Sequence, residues 1–336
     1  MNLSRIKRWI LLGHRWLGIG TCLLFFLWFL SGVVMMYVGH PKLTWQERLE
    51  HLPPLEASQP LLSPADAFRQ AGIHGTVTDL RLANARAGQP VYIAQVRPDT
   101  KPAPDAPRPD PCLVTLDART GTLLSPTDPA TALASAQVYL EQGSPSHPSS
   151  SSALPATGPR LPSATTAPAS PGVPLYQGIT VEDAHTHSKA MDLHRPLHKV
   201  LLPDADQTLL YISGTTGEVV RDAPRLERGF NYLGAWLHWL YLFRDTAIDW
   251  TELIIWLSVI GIVSVISGFL AGIIRWRFSR PYRSGSRSPF APGALRWHHI
   301  LGLVFALTTF TWIFSGLMSM NPWDIFEADE SIIDAR

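Results

Sequence analysis

The sequence predicts an α-helical membrane protein: three transmembrane helices plus an interfacial helix, with an external α+β region. Three observations carry this. Hydrophobic residues make up 46% of the 336-residue chain and charged residues 16%, against about a quarter in soluble domains. The apolar residues gather into runs near Trp16–Val38, Leu253–Ile274 and Ile300–Met320, each about the 20 residues that a bilayer crossing needs. Outside those runs, two strand–turn–strand patterns, LVTLDARTGTLL (113–124) and LLYISGTTGEVV (209–220), recur at an offset of 96 residues.

Residues 1–38 form a short N-terminus and the first span. Arg5, Lys7, Arg8 and Arg15 precede or open the apolar run, with no acid among them. The loop 276–296, with Arg275 just before it, carries Arg277, Arg280, Arg283, Arg287 and Arg296, again without an acid. The positive-inside rule makes both segments cytoplasmic. Residues 39–250 and the acidic tail 321–336 then lie outside. The first apolar run is too long for a signal peptide, and MYVGHPKLT offers no small-residue cleavage site, so it reads as a retained anchor. The net charge of +1 hides a segregation by membrane side and gives no reason to expect a nucleic-acid partner. Cys22 lies in a span and Cys112 outside, so neither a disulfide framework nor thiolate–metal chemistry is expected.

The first external lobe is placed at 39–142. SPADAFRQAG reads as a capped helix with Ser63 as N-cap and Pro64 at the first helical position. PVYIAQVRP and PCLVTLDARTGTLLSP follow with strand alternation. Residues 143–174 are rich in Ser, Pro, Ala and Thr and read as a disordered linker. The second lobe occupies 175–227 and repeats the pattern of the first. RGFNYLGAWLHWLYLFRDTAIDW (228–250) is apolar at helical spacing but too short to cross, so an interfacial helix with His238 at its middle is expected. The second span (251–275), the basic loop (276–296) and the third span (297–320) complete the chain before the tail.

The candidate site comes from a repeat between spans. GHRWLGIGTCLLFFLWFLSGVVMM (13–36) aligns without gaps onto WHHILGLVFALTTFTWIFSGLMSM (297–320) at an offset of 284. His14 falls on His298, Gly18 on Gly302, Trp28 on Trp312 and Ser31-Gly32 on Ser315-Gly316. Both helices run outward from the cytoplasm, so the two histidines share a depth, roughly 20 Å below the midplane at 1.5 Å per residue. A single interfacial histidine is usually an anchor. Matched histidines on two helices are what a six-coordinate haem b requires, and Gly18 and Gly302, one turn on, leave room for a flat macrocycle. His299 competes with His298, but neighbouring helical residues point about 100° apart, and the repeat selects His298. The small residues Gly261, Ser264, Gly268 and Gly272 of the second span read as a helix-packing stripe. Arg15 and Arg296 are candidates to pair haem propionates, with positive-inside signalling as the equal alternative.

Nine further histidines lie outside the two matched positions and His299. His185, His187, His194 and His198 form the densest group. His194 and His198 are spaced for one helix face, but Pro196 between them disfavours a helix, and no carboxylate set completes a metal site. His238 and His40 have matching depths at the outer interface and are candidates for a second haem, with His194 and His198 as alternative partners. His14 and His40 are about 39 Å apart on an ideal helix, so they cannot share one iron.

The HRWLG start of the first span, the WLHWLYLF segment and the WHHILG start of the third resemble the PepSY-associated transmembrane family, and the Asp-x-x-Thr-Gly strands resemble its PepSY lobes. The resemblance covers most of the chain outside the linker. Similar members include di-haem ferric-siderophore reductases of the bacterial inner membrane. It implies haem b, two per chain, ligated at His14, His298 and His238. It also implies electron transfer toward a ferric-siderophore substrate in the periplasm, with membrane lipid as surroundings. Many relatives add a fourth span after a further external segment, whereas the sequence here runs to Arg336 soon after the third. No GxGxxG, P-loop or flavin fingerprint appears, so a quinol or a separate reductase is the expected electron donor. The rival functions are a membrane-anchored PepSY regulator of a periplasmic peptidase and an accessory subunit of a metal-uptake system. Matched intramembrane histidines argue against the first. The absence of charge at mid-membrane argues against an autonomous transporter.

Overall fold

The basic start and the apolar run after it form one unbroken helix, α1 (Leu3–Tyr37), in the computed structural model, which describes residues 3–97, 111–143, 172–244 and 246–326. Its 35 residues reach about 52 Å at 1.5 Å per residue, well beyond a hydrocarbon core of about 30 Å. The helix therefore begins before the apolar run expected from Trp16, and its first turns carry Arg5, Lys7 and Arg8. After α1 come α2 (Trp45–Glu50), α3 (Pro64–Gln70), β1 (Thr76–Arg86), β2 (Gln89–Arg97), β3 (Cys112–Asp117) and α4 (Pro129–Gln142). Then follow β4 (Leu175–Thr180), β5 (Leu197–Leu201), β6 (Leu209–Ser213), β7 (Val219–Ala223), α5 (Arg225–Asn231), α6 (Trp250–Arg275) and α7 (Ala294–Ser319). The chain divides into a helical unit, 1–32 with 236–336, and an α+β unit, 33–235. Most of the linker expected at 143–174 and most of the acidic tail lie outside the described residues.

In the helical unit, α1, α6 and α7 are each long and apolar enough to cross a membrane. Asp249 caps α6, its carboxylate accepting from the Glu252 amide at 3.1 Å. The small residues of α6 receive bulky neighbours: a Cβ on Gly261 would meet Phe25 of α1 at 3.2 Å, and one on Gly272 would meet Leu303 of α7 at 2.7 Å. The basic loop is ordered. Arg277 N–H donates to Arg287 C=O at 3.1 Å, Tyr282 N–H donates to Ser286 C=O at 2.8 Å, and the Arg277 guanidinium lies 4.0 Å over the Tyr282 ring.

In the α+β unit, β1–β2–β3 form an antiparallel meander and β4–β5–β6–β7 a second one. Ser63 and Pro64 start α3 as the sequence predicts, and Ala67 of α3 packs on Tyr92 and Leu116 of the first sheet. The offset of 96 reappears as one turn geometry built twice. Asp117 Oδ1 accepts from the Arg119 and Thr120 amides, and Gly121 N–H donates to Asp117 C=O with Gly121 at φ 66°. Ser213 Oγ accepts from the Thr215 and Thr216 amides, and Gly217 N–H donates to Ser213 C=O with Gly217 at φ 76°. Both turns place a glycine where a left-handed φ is required.

Two assignments from sequence change. Residues 129–142, placed in the first lobe, form α4, capped by Asp128 with Pro129 in its first turn. Its Ala132, Ala136 and Tyr139 pack on Val200, Leu210 and Ile212 of the second sheet, so the division between lobes falls before α4. The stretch 228–250 is not one helix. α5 runs through a π-turn (Tyr232–Trp236) to His238, and the chain then reverses at Leu240, which has φ 51°. His238 thus sits at a helix end rather than mid-helix. The two sheets are joined by Glu218, which is buried and pairs with Arg81 of β1 and, at 3.4 Å, with Arg48 of α2.

Candidate functional site: matched imidazoles in the helical unit

His14 of α1 and His298 of α7 come together. Their ring centroids are 6.2 Å apart and their planes differ by 17°. Two imidazole nitrogens each about 2 Å from a shared metal place ring centroids roughly 6 Å apart. The seat for His14 is provided by α6: a Cβ on Gly268 would lie 2.6 Å from His14 Cε1, so the helix stripe assigned to packing also admits the imidazole. No heavy atom stands within 4 Å of a Cβ at Gly18 or Gly302, which leaves the space over those glycines that the sequence predicts.

The neighbours of His14 select its tautomer. Ser267 Oγ donates its one hydrogen to Ser264 C=O at 2.9 Å, so toward His14 Nδ1, 3.4 Å away, it acts as acceptor. Donation from Nδ1 would leave the Nε2 lone pair free, the state a metal ligand needs. His299 shows the opposite arrangement. Its Nε2–H donates to Gly272 C=O at 3.0 Å, its Nδ1 accepts from Ser288 Oγ at 2.8 Å, and the residue is buried. Both of its nitrogens are engaged, so His299 has none left for a metal.

His238 repeats the His14 device. Ser31 Oγ, fully buried, donates to Leu27 C=O at 2.7 Å and accepts from His238 Nδ1–H at 3.1 Å. The imidazole lies over Gly32, 3.5 Å from where its Cβ would be. It lines a cleft walled by Trp28, Phe29, Trp239 and Trp312, with Gly316 also on the lining and His238 as its one imidazole. Trp28 Nε1 is buried and has no hydrogen-bond partner among the described residues.

The remaining candidates are placed otherwise. His40, expected to pair with His238, belongs to the α+β unit. Its Nδ1–H donates to Asn231 Oδ1 at 2.6 Å, and its Nε2 is buried without a hydrogen-bond partner among the described residues. Burial and the nearby Arg221 hold its pKa below the ordinary histidine range. Asn231 in turn donates to His185 Nδ1 at 3.1 Å, and burial pushes His185 down to about 4. His198, the alternative ligand, is a core residue of β5: Nε2–H donates to Thr127 C=O and Nδ1 accepts from Tyr176 Oη, both at 2.9 Å. With both nitrogens committed it has none for iron. His194 bonds Ser213 Oγ at 3.0 Å, and His187 pairs with Glu182. Among the described residues no three His, Cys, Asp or Glu side chains gather to hold a bare metal ion. Arg15 is exposed with its guanidinium 5.7 Å over Trp16, and Arg296 is half-buried in the first turn of α7.

The serines that orient His14 and His238 are not among the residues expected from sequence. A signal for them exists: Ser267 lies beside the Ser264 and Gly268 of the stripe, and Ser31 belongs to the repeated Ser-Gly pair. No protein-family model, curated protein or solved structure matches this chain.

Proposed function

We propose that this chain is a haem b electron-transfer protein of the bacterial inner membrane, delivering electrons to a ferric-siderophore on the periplasmic side. The observation that supports the reading most is the His14–His298 pair: two near-parallel imidazoles on two apolar helices, spaced for one metal, with His14 Nδ1 against a serine acceptor. An anchoring role explains neither the spacing nor the tautomer. In this reading His14 and His298 hold the haem at the cytoplasmic side, Ser267 orients His14, and Gly268, Gly18 and Gly302 keep the ring's surroundings free of side chains. His238, oriented by Ser31, holds a second haem nearer the outer side. Arg15 and Arg296 would pair propionates near the cytoplasmic interface, with positive-inside signalling as the equal alternative. A bound haem supplies the one-electron chemistry, while the chain sets ligation, dielectric and access. The ferric-siderophore assignment and the N-in orientation rest on the family resemblance and the arginine distribution. A quinol or a separate reductase supplies the electrons.

The test is spectroscopic. The full chain, purified in detergent after expression with adequate haem, is expected to show a reduced-minus-oxidised cytochrome b spectrum and haem by pyridine haemochrome. A preparation without a Soret band removes the proposal.

A further inference from the structure

At the end where the basic loop joins them, α6 and α7 carry an apolar groove with a cationic rim. Leu303 of α7 floors the groove by packing over Gly272, where a Cβ would lie 2.7 Å from it. Phe269 and Ile273 of α6 and Val304 of α7 form the sides, and Trp276 and Phe278 form the mouth at the loop. Val304 is 65% exposed and Phe278 63%, so the groove faces the surroundings of the helices and not their packing. From Phe269 to Arg275 the helix advances about 9 Å. With α6 across a bilayer, the groove therefore runs from the headgroup level into the hydrocarbon. Its mouth is fixed in place. Trp276 stands edge-on to the buried His299 ring at 5.7 Å, and Arg287 Nη1–H donates to Phe278 C=O at 2.8 Å.

That last hydrogen bond sets a guanidinium at the rim. Arg277, between the two aromatic residues of the mouth, is tied to Arg287 by its backbone N–H and lays its guanidinium face on the Tyr282 ring. Stacking takes the face of the guanidinium and leaves its N–H edge for an oxyanion. Arg275, Arg280 and Arg283 are exposed on the same loop, and no acid occurs between Glu252 and Asp324. An apolar groove that ends in paired arginines complements a methylene chain that ends in a phosphate. We propose that this groove is a binding site for an anionic phospholipid, with an acyl chain along Leu303 and Val304 and the phosphate on Arg277 and Arg287. Topology signalling needs positive charge alone. It does not need a guanidinium pinned to the mouth of a groove, or a loop fastened backbone to backbone beside it. The proposal rests on α6 and α7 lying in a bilayer and is independent of haem.

The full chain reconstituted in phosphatidylcholine vesicles provides the test, with a trace of spin-labelled phosphatidylglycerol or spin-labelled phosphatidylcholine as probe. The motionally restricted fraction in electron paramagnetic resonance should be several-fold larger for phosphatidylglycerol. Arg277→Gln with Arg287→Gln should remove that preference. Arg280→Gln with Arg283→Gln, which takes the same charge from elsewhere on the loop, should keep most of it. Val304→Trp fills the groove from an exposed position and leaves every arginine in place. It should remove the preference too, a result that a disordered loop in the first variant does not produce. Equal restriction of both lipids by the unaltered chain overturns the proposal. Equal loss in the two arginine pairs also overturns it, since the attraction is then the diffuse charge of the loop. So does a preference that Val304→Trp leaves intact; if that variant also splits a dimer, the groove belongs to a second copy of the chain. A chain that alkaline carbonate releases from the vesicles overturns the membrane-spanning reading instead.

Discussion

A histidine becomes a ligand or a strut through which of its nitrogens is already occupied. His14 and His238 each set Nδ1 against a serine whose own hydrogen is tied to its helix. His198 and His299 use both nitrogens on the fold. If the proposed haem is bound, His14→Ala and His298→Ala should each remove the same one, read as loss of one component in the reduced spectrum. Gly268→Leu should do likewise without touching either ligand, because its side chain claims the space of the His14 ring. The α+β unit has its own residue-level signature. Burial holds His185 neutral down to about 4 from an ordinary 6.5, so the unfolded chain binds more protons between those values. Stability should fall as pH drops from about 6.5 to about 4, and His185→Gln should flatten that slope in pH-dependent thermal melts. Asp222 acts in the other direction. Burial, with Glu47 and Glu227 adding repulsion, pushes its carboxyl up to about 7. The folded chain therefore binds the extra proton, stability declines as pH rises from about 4 to about 7, and Asp222→Asn should raise the melting temperature at neutral pH and above.

Elements were legible where periodicity or a cap decides them and not where a distant partner does. The three apolar helices follow from run length, and α3 from Ser63 and Pro64. The same N-terminal signal, Asp128 followed by Pro129, marks α4, but nothing local says that α4 packs on the second sheet. The stretch 228–250 has helical spacing throughout, yet Leu240 takes a left-handed φ and ends the run, a backbone choice that amphipathicity does not reveal. The pairing of His14 with His298 was legible through the register of two helices. The seat on Gly268 was not, because it depends on how α6 packs between sequence-distant side chains. Glu218 is the element-scale contact with the largest predicted effect. It lies just after the second repeated turn and holds arginines from β1 and α2. Removing one partner of a buried ion pair leaves the others uncompensated, so Glu218→Ala should cost on the order of 3 kcal/mol, measured by urea unfolding of the full chain in detergent.

At the scale of the whole molecule, orientation is the property with the simplest test. Cys112 is exposed at the start of β3 and Cys22 lies within α1. In a Cys22→Ser background, a membrane-impermeant maleimide should label Cys112 in spheroplasts without lysis if the α+β unit faces outward; labelling only after lysis reverses the assigned orientation. The ordered basic loop bears on the helical unit as a whole through His299. That ring is fastened to Ser288 of the loop and to the Gly272 carbonyl of α6, and its neighbour is His298. Because adjacent helical residues are about 100° apart in azimuth, fixing His299 fixes the angle at which α7 is turned about its own axis. The loop is therefore a key in a keyway: it indexes the rotation of α7 and so the bearing of His298. On the haem proposal, His299→Leu should keep the haem but let that bearing wander, seen as broadened low-spin signals in electron paramagnetic resonance.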